Sequence, residues 1–202
     1  MVIGMKEKNS FEYRECGVML VFLAMNIIIY IYCTYAGESV YNTGCMDARR
    51  VLLEGEYYRL FTSMFMHGGI DHLVSNMIFL AALGEMLERA VGHFRFAALY
   101  LLSGMGGGIF SMLNVVIGGD YYTSVGASGA IFGLIGALLI LVIINNGRYE
   151  GISIKRMIFA IAYMVYEGMA SEGIDNAAHL GGLIFGALIM AVMYVADSFR
   201  VK

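Results

Sequence analysis

Two residues invite a chemical reading before any others. Ser128 stands in Gly126-Ala127-Ser128-Gly129, and His179 stands in Ala178-His179-Leu180-Gly181-Gly182. A serine hydroxyl is a weak nucleophile until a base takes its proton, and histidine is the commonest base. The glycines beside Ser128 let backbone and a reacting group approach it closely. Taken alone, such a serine is mostly a packing residue and such a histidine mostly serves a loop hydrogen bond. Together they suggest acyl transfer, because each opens a long apolar run. No acid three or four residues from His179 is poised to orient its ring. Asp175, four residues earlier, falls in a loop. A Ser–His dyad without a carboxylate is therefore expected.

A third group lies in His67-Gly-Gly-Ile-Asp-His72-Leu-Val-Ser-Asn76. His72 and Asn76 are i, i+4 and share one helical face. Acyl transfer needs donors aimed at the oxyanion of a tetrahedral intermediate, and Asn, His and backbone N–H all serve. Metal binding by His67 and His72 is the rival reading. No H-E-x-x-H is present, and five residues of separation do not put both rings on one face. No metal and no cofactor is expected.

The elements that must position these groups are membrane helices. Hydrophobic residues make up 59% of the 202 and charged residues 14%, against about a quarter charged in soluble domains. Uncharged stretches run over Gly17–Ala36, Phe96–Gly119, Tyr121–Gly147 and Ala177–Ala196. Each reaches the roughly 18–20 residues that cross a hydrocarbon core as a helix. Leu73–Gly84 and Met157–Tyr166 are shorter and extend if Glu85 and Glu167 lie near a membrane face. The expectation is an all-α polytopic bundle of six spans in a single domain, residues 17–196. Short cytoplasmic segments, 1–16 and 197–202, flank it. Twenty-six Gly and no Pro suit closely packed helices, and runs apolar all round exclude a transmembrane barrel. Cys16, Cys33 and Cys45 have neither the number nor the spacing for a disulfide framework or zinc site. About twenty apolar residues exceed the usual 7–15-residue signal core, so Ala36-Gly37 is read as uncleaved.

Of the 13 Lys and Arg, ten fall on the side of the termini and only Arg49, Arg50 and Arg59 on the other. The positive-inside rule then places both termini in the cytoplasm. Ser128, His179, His72 and Asn76 all open their spans from the outer side and converge on one leaflet. The first loop, Gly37–His67, is long for a helix–helix connection. Its Tyr41, Tyr57, Tyr58 and Phe61 suit a segment lying at the membrane interface.

Glycine spacing pairs two spans. Gly129-x3-Gly133 and Gly182-x3-Gly186 are each small residues four apart, which let helices approach until their backbones nearly touch. His179, Gly182 and Gly186 share one face. Packing that face on the Gly129, Gly133 and Gly136 stripe brings the Ser128 hydroxyl toward His179.

Four stretches together resemble the rhomboid intramembrane serine proteases in their minimal bacterial six-helix form. They are Tyr58-Arg59, His67-x4-His72-x3-Asn76, Gly126-x-Ser128-Gly129, and Ala178-His179-x2-Gly182-x3-Gly186. The resemblance implies Ser128 as nucleophile, His179 as general base, and Asn76, His72 and the Ser128 N–H as oxyanion hole. It matches Arg59 to an arginine that stabilises the first loop, and Glu88 to an acidic residue near the inner end of span two. Two departures are Phe132 where some relatives carry a tyrosine that stacks on the base, and Tyr58 where Trp is common. The substrates implied are single-pass transmembrane proteins in a lipid bilayer, cleaved at small residues where the helix unwinds, with access between span two and the weakly anchored span five. No nucleic-acid partner is expected. A multi-pass protein of a bacterial inner membrane, its site opening outward, follows from the same resemblance. Two rivals stand beside it. One is a non-catalytic rhomboid-like protein that binds membrane clients; the other is a small transporter or channel using the same polar groups.

Overall fold

The computed structural model describes residues 16–119, 121–171 and 173–200. Of the expected terminal segments, residues 1–15, 201 and 202 lie outside that description, as do the loop acids Asp120 and Glu172. Six long helices make up the body: α1 (Gly17–Ala36), α5 (Ile70–Val91), α6 (His93–Gly118), α7 (Ser128–Ile144), α8 (Ile154–Ala170) and α9 (Asn176–Arg200). Between α1 and α5 lie α2 (Glu38–Gly44), α3 (Ala48–Leu53), α4 (Arg59–Thr62) and a 3-10 turn at Ser63–Phe65. Two short antiparallel pairs complete the described residues. β1 (Met46–Asp47) pairs with β2 (Thr123–Ser124), and β3 (Arg148–Tyr149) with β4 (Ile152–Ser153).

By length and composition, α1, α5, α6 and α9 are each able to cross a membrane, and α7 is a shorter apolar helix. The extra length of α5 and α9 over the apolar runs has a local cause. α5 continues past Gly84 through Glu88, whose carboxylate accepts the N–H groups of Val18 and Met19 at 2.8 and 2.7 Å. These are two of the unpaired donors that open any helix, so a buried acid on α5 caps α1. α9 likewise continues past Ala196, where Asp197 meets the Arg95 guanidinium through two bonds of 2.6 Å.

α7 is the centre of the bundle. Twelve of its residues, from Gly129 to Val142, are buried, and a helix apolar all round belongs inside others. It packs on α5, α6, α8 and α9. Leu80, Leu87, Phe96, Leu99, Tyr100, Leu134 and Leu138 fill the space between them with at most 1% exposure. α8 is the outlier: only Met157 and Gly168 are buried. It leans on the bundle rather than forming part of its core.

The contact between α7 and α9 is backbone against backbone. A Cβ built on Gly182 would strike the Gly129 carbonyl oxygen, and one on Gly186 the Gly133 carbonyl oxygen. Gly136 stands likewise against the Leu183 carbonyl. α6 joins them through Gly107, whose Cβ would lie 2.7 Å from the Ala178 carbonyl oxygen. Without side chains at these points, three helices meet at distances that other residues forbid.

Candidate active site

Ser128 is the first residue of α7, delivered by the extended segment that holds β2. Main-chain contacts help fix that segment. Met46 and Ser124 pair across β1 and β2, and the Gly126 N–H donates to the Ser63 carbonyl at 2.9 Å. Gly126 has φ +134, a conformation that side chains disfavour. It also needs the space, because a Cβ there would lie 2.8 Å from His72 Nε2 and 3.7 Å from Asn76 Nδ2.

The Ser128 hydroxyl lies 2.9 Å from His179 Nε2. This is within the reach required for a base to take a nucleophile's proton. Phe132, one turn along α7 from Ser128, lies flat on the imidazole, with centroids 4.1 Å apart and planes 11° apart. The stacking holds the ring's plane where no carboxylate does. Among the described residues no hydrogen bond joins Asp175 to the His179 ring. Its carboxylate accepts instead from the Ala178 N–H, Tyr122 and Ser111.

Beside Gly126, Asn76 is 6% exposed and its amide nitrogen has no hydrogen-bond partner. A buried donor left unpaired costs about 1–3 kcal/mol, so its position calls for an acceptor that arrives from outside. His72, half-buried, stands one turn before it. A cavity of about 30 Å³ lined by Ser63, Ser124, Gly126, Ser128 and Asp175 lies at Ser128, room for about one water. The structure thus brings Ser128, His179, His72, Asn76, Gly126, Gly129 and Phe132 together.

His67 is buried and set edge-on to His72, with ring centroids 5.1 Å apart. Burial, helped by the neighbouring His72, pushes its pKa down to about 4. The Phe65 backbone acts on the ring, although no hydrogen bond of ordinary geometry reaches either ring nitrogen, and among the described residues no three His, Cys, Asp or Glu converge as a metal site.

Arg59 and Glu88 stand apart from the Ser128–His179 pair. Arg59 is fully buried, with Nε donating to Glu56 at 2.6 Å and Nη1 to the carbonyls of Asn42 and Cys45, each at 2.9 Å. It folds the first loop onto itself. The loop's next residue, Met46, then pairs with Ser124, so the guanidinium supports the Ser128 segment at a distance. Glu88 holds α1 and meets His93 Nδ1 at 2.5 Å. Sequence reasoning passed over Gly104, Gly106 and Gly107 of α6, a small-residue cluster readable as a packing face, and the Ser111 and Tyr122 hydroxyls on Asp175.

Residues 54–196 match the family description of the Rhomboid domain. The chain belongs to the rhomboid family. It is 34% identical to Rhomboid protease GluP of Bacillus subtilis (strain 168) over 93% of this chain and 37% of that protein. It is 31% identical to Rhomboid protease AarA of Providencia stuartii over 98% of this chain and 80% of that protein. RHOMBOID-like protein 5 of Arabidopsis thaliana is 39% identical over 75% of this chain and 48% of its own length. The chain therefore spans about half the length, or less, of several curated relatives. As a rhomboid with long apolar helices, it is a multi-pass membrane protein.

Proposed function

We propose that this rhomboid is an intramembrane serine endopeptidase that cleaves transmembrane proteins with a Ser128–His179 dyad. The observation that carries the proposal is the 2.9 Å contact between Ser128 Oγ and His179 Nε2 beside an unpaired, buried Asn76 amide. Residues 17–196 form the protease domain, both termini face the cytoplasm, and the site opens to the opposite side of a bacterial inner membrane. α7 is 17 residues long, about 26 Å at 1.5 Å per residue. That falls short of a hydrocarbon core of about 30 Å, which suits a nucleophile set below the outer surface.

Chemistry follows from the arrangement. A substrate helix reaches the site past α8, the least anchored helix, and unwinds so that a backbone carbonyl is freed from its own hydrogen bond. Ser128 attacks that carbonyl while His179 Nε2 takes the hydroxyl proton. The carbonyl oxygen becomes the oxyanion, held by the Asn76 amide, His72 and the Ser128 N–H. His179 then passes the proton to the leaving amine, the C–N bond breaks, and an acyl-enzyme remains. Water attacks the ester, gives its proton to His179 and releases the carboxylate product as Ser128 recovers its proton. Phe132 keeps the ring in plane throughout.

The test uses purified protein in liposomes with a reporter carrying one transmembrane segment. Wild type is expected to cleave it and to react with a fluorophosphonate at Ser128, whereas Ser128→Ala and His179→Ala do neither. Cleavage that survives Ser128→Ala would overturn the proposal.

A further inference from the structure

We propose that Asp175 is a positioning residue for the dyad, its carboxylate locking the first turn of α9, and so His179, to the segment that delivers Ser128. The proposal rests on the Ser–His reading above and adds a residue to it. A dyad has no third member to hold its base, so the base stands wherever its helix stands. Asp175 decides that standing by three bonds to three elements. One carboxylate oxygen accepts the Ala178 N–H at 2.9 Å, which fixes the turn immediately before His179. The same oxygen lies 3.4 Å from the Tyr122 hydroxyl, and Tyr122 also receives the Asn114 amide of α6 at 3.2 Å. The other oxygen accepts from Ser111 of α6, a residue 3% exposed. Ser111 Oγ in turn lies 3.4 Å from Ser124 Oγ in β2.

One side chain therefore ties α9, α6 and the stretch from Tyr122 to Ser124, which leads four residues later into Ser128. Among the described residues the carboxylate makes no hydrogen bond to the imidazole, its partners being Ser111, Tyr122 and the Ala178 N–H, so it is not a hidden triad member. It lines the small cavity with Ser124, Gly126, Ser128 and Ala178, which leaves it adjacent to the reacting atoms without touching them. Its charge reaches the His179 ring, but what the three bonds supply is geometry. An asparagine retains an acceptor oxygen for Ala178 and Tyr122, and its amide nitrogen can donate to the Ser111 hydroxyl.

The experiment compares wild type, Asp175→Ala and Asp175→Asn in liposomes, measuring kcat and KM with the reporter and the rate of fluorophosphonate labelling. Asp175→Ala is expected to lose on the order of 10–100-fold in kcat and labelling with KM nearly unchanged, the scale of a misplaced reacting group. Asp175→Asn is expected to recover most of that loss. Wild-type kcat in the alanine variant, a loss confined to KM, or an asparagine variant as poor as alanine would each overturn the proposal. Should Asp175→Ala not fold, Ser111→Ala and Tyr122→Phe each remove one bond. Lower kcat in both, deeper in the double variant, supports the lock; unchanged kcat in both rejects it. Failure of wild type itself to label or cleave refutes the dyad instead.

Discussion

Replacing Gly182 by alanine adds one methyl group where α9 crosses α7 backbone against backbone. That methyl would strike the Gly129 carbonyl oxygen, with the Gly129 carbonyl carbon at 2.8 Å and its Cα at 3.2 Å. Both partners are main chain in long helices, so no flexible side chain can yield. Relief requires α9 to back away from α7 by about 1 Å, enough to restore ordinary van der Waals contact. Ser128 precedes Gly129, and His179 lies one turn before Gly182 on the same face. The same separation is thus added to the 2.9 Å hydroxyl–imidazole contact, taking it beyond the roughly 3.2 Å limit for proton transfer. Overpacking of this kind costs about 1–3 kcal/mol. Loss of base catalysis costs about 10²–10⁴-fold in rate. Gly186→Ala is the control: its methyl would meet Gly133 in the same way, with the carbonyl carbon at 2.5 Å, but one turn farther from His179. Thermal midpoints in detergent should fall for both variants, whereas the loss of kcat with the liposome reporter should be larger for Gly182→Ala. A Gly182→Ala protein that cleaves at the wild-type rate would refute the reasoning, because helix separation would then not govern the dyad.

Asn76→Ala is expected to reduce kcat by about 10²–10³-fold, the cost of one oxyanion donor, with little change in KM; unchanged kcat with the reporter would remove Asn76 from that role. Glu88→Ala leaves the Val18 and Met19 N–H groups without their acceptor. It should lower stability by about 1–2 kcal/mol, the size of a lost helix cap, while sparing kcat, since Glu88 lies at the opposite end of α5 from Asn76. Thermal melts paired with reporter turnover decide both parts. For His67, the folded pKa of about 4 lies below the free value of 6.5. Between those values the unfolded chain binds a proton that the folded chain refuses, so stability falls as pH drops from 6.5 toward 4. The full drop is about 3 kcal/mol. Melts of wild type and His67→Phe from pH 7 to 4.5 test this, and the variant should show a flatter profile.

The parts of this fold that were readable in sequence are those in which one segment's own pattern states its environment. The apolar run of α7 has no polar face, so only the centre of a bundle suits it. Gly129, Gly133, Gly182 and Gly186 declare close crossings because their spacing returns to one face each turn. Ser128 and His179 begin their helices, and the charge asymmetry of the loops puts both at the same end. What was not readable depends on two distant segments finding each other. The Arg59–Glu56 pair is local, three residues apart, but nothing in Gly37–His67 states that the segment folds into three short helices around a buried Arg59, because the distant partners of that guanidinium are the carbonyls of Asn42 and Cys45, which every residue type carries.

The same limit hid the support of Ser128. Met46 and Ser124 pair through main-chain groups that every non-proline residue carries, and neither segment shows the alternation that announces a strand. Asp175 in a loop reads as a solvated charge until Ser111 and Tyr122 are seen to converge on it from 64 and 53 residues away. Chemistry-bearing atoms are confined to a few residue types and so are visible in a sequence. The groups that hold them to within a fraction of an ångström are ordinary hydroxyls, carbonyls and bare α-carbons, and only their spatial meeting marks them. In this rhomboid the proposed dyad was therefore the more legible half of the site, and its precision lies in the half that was not.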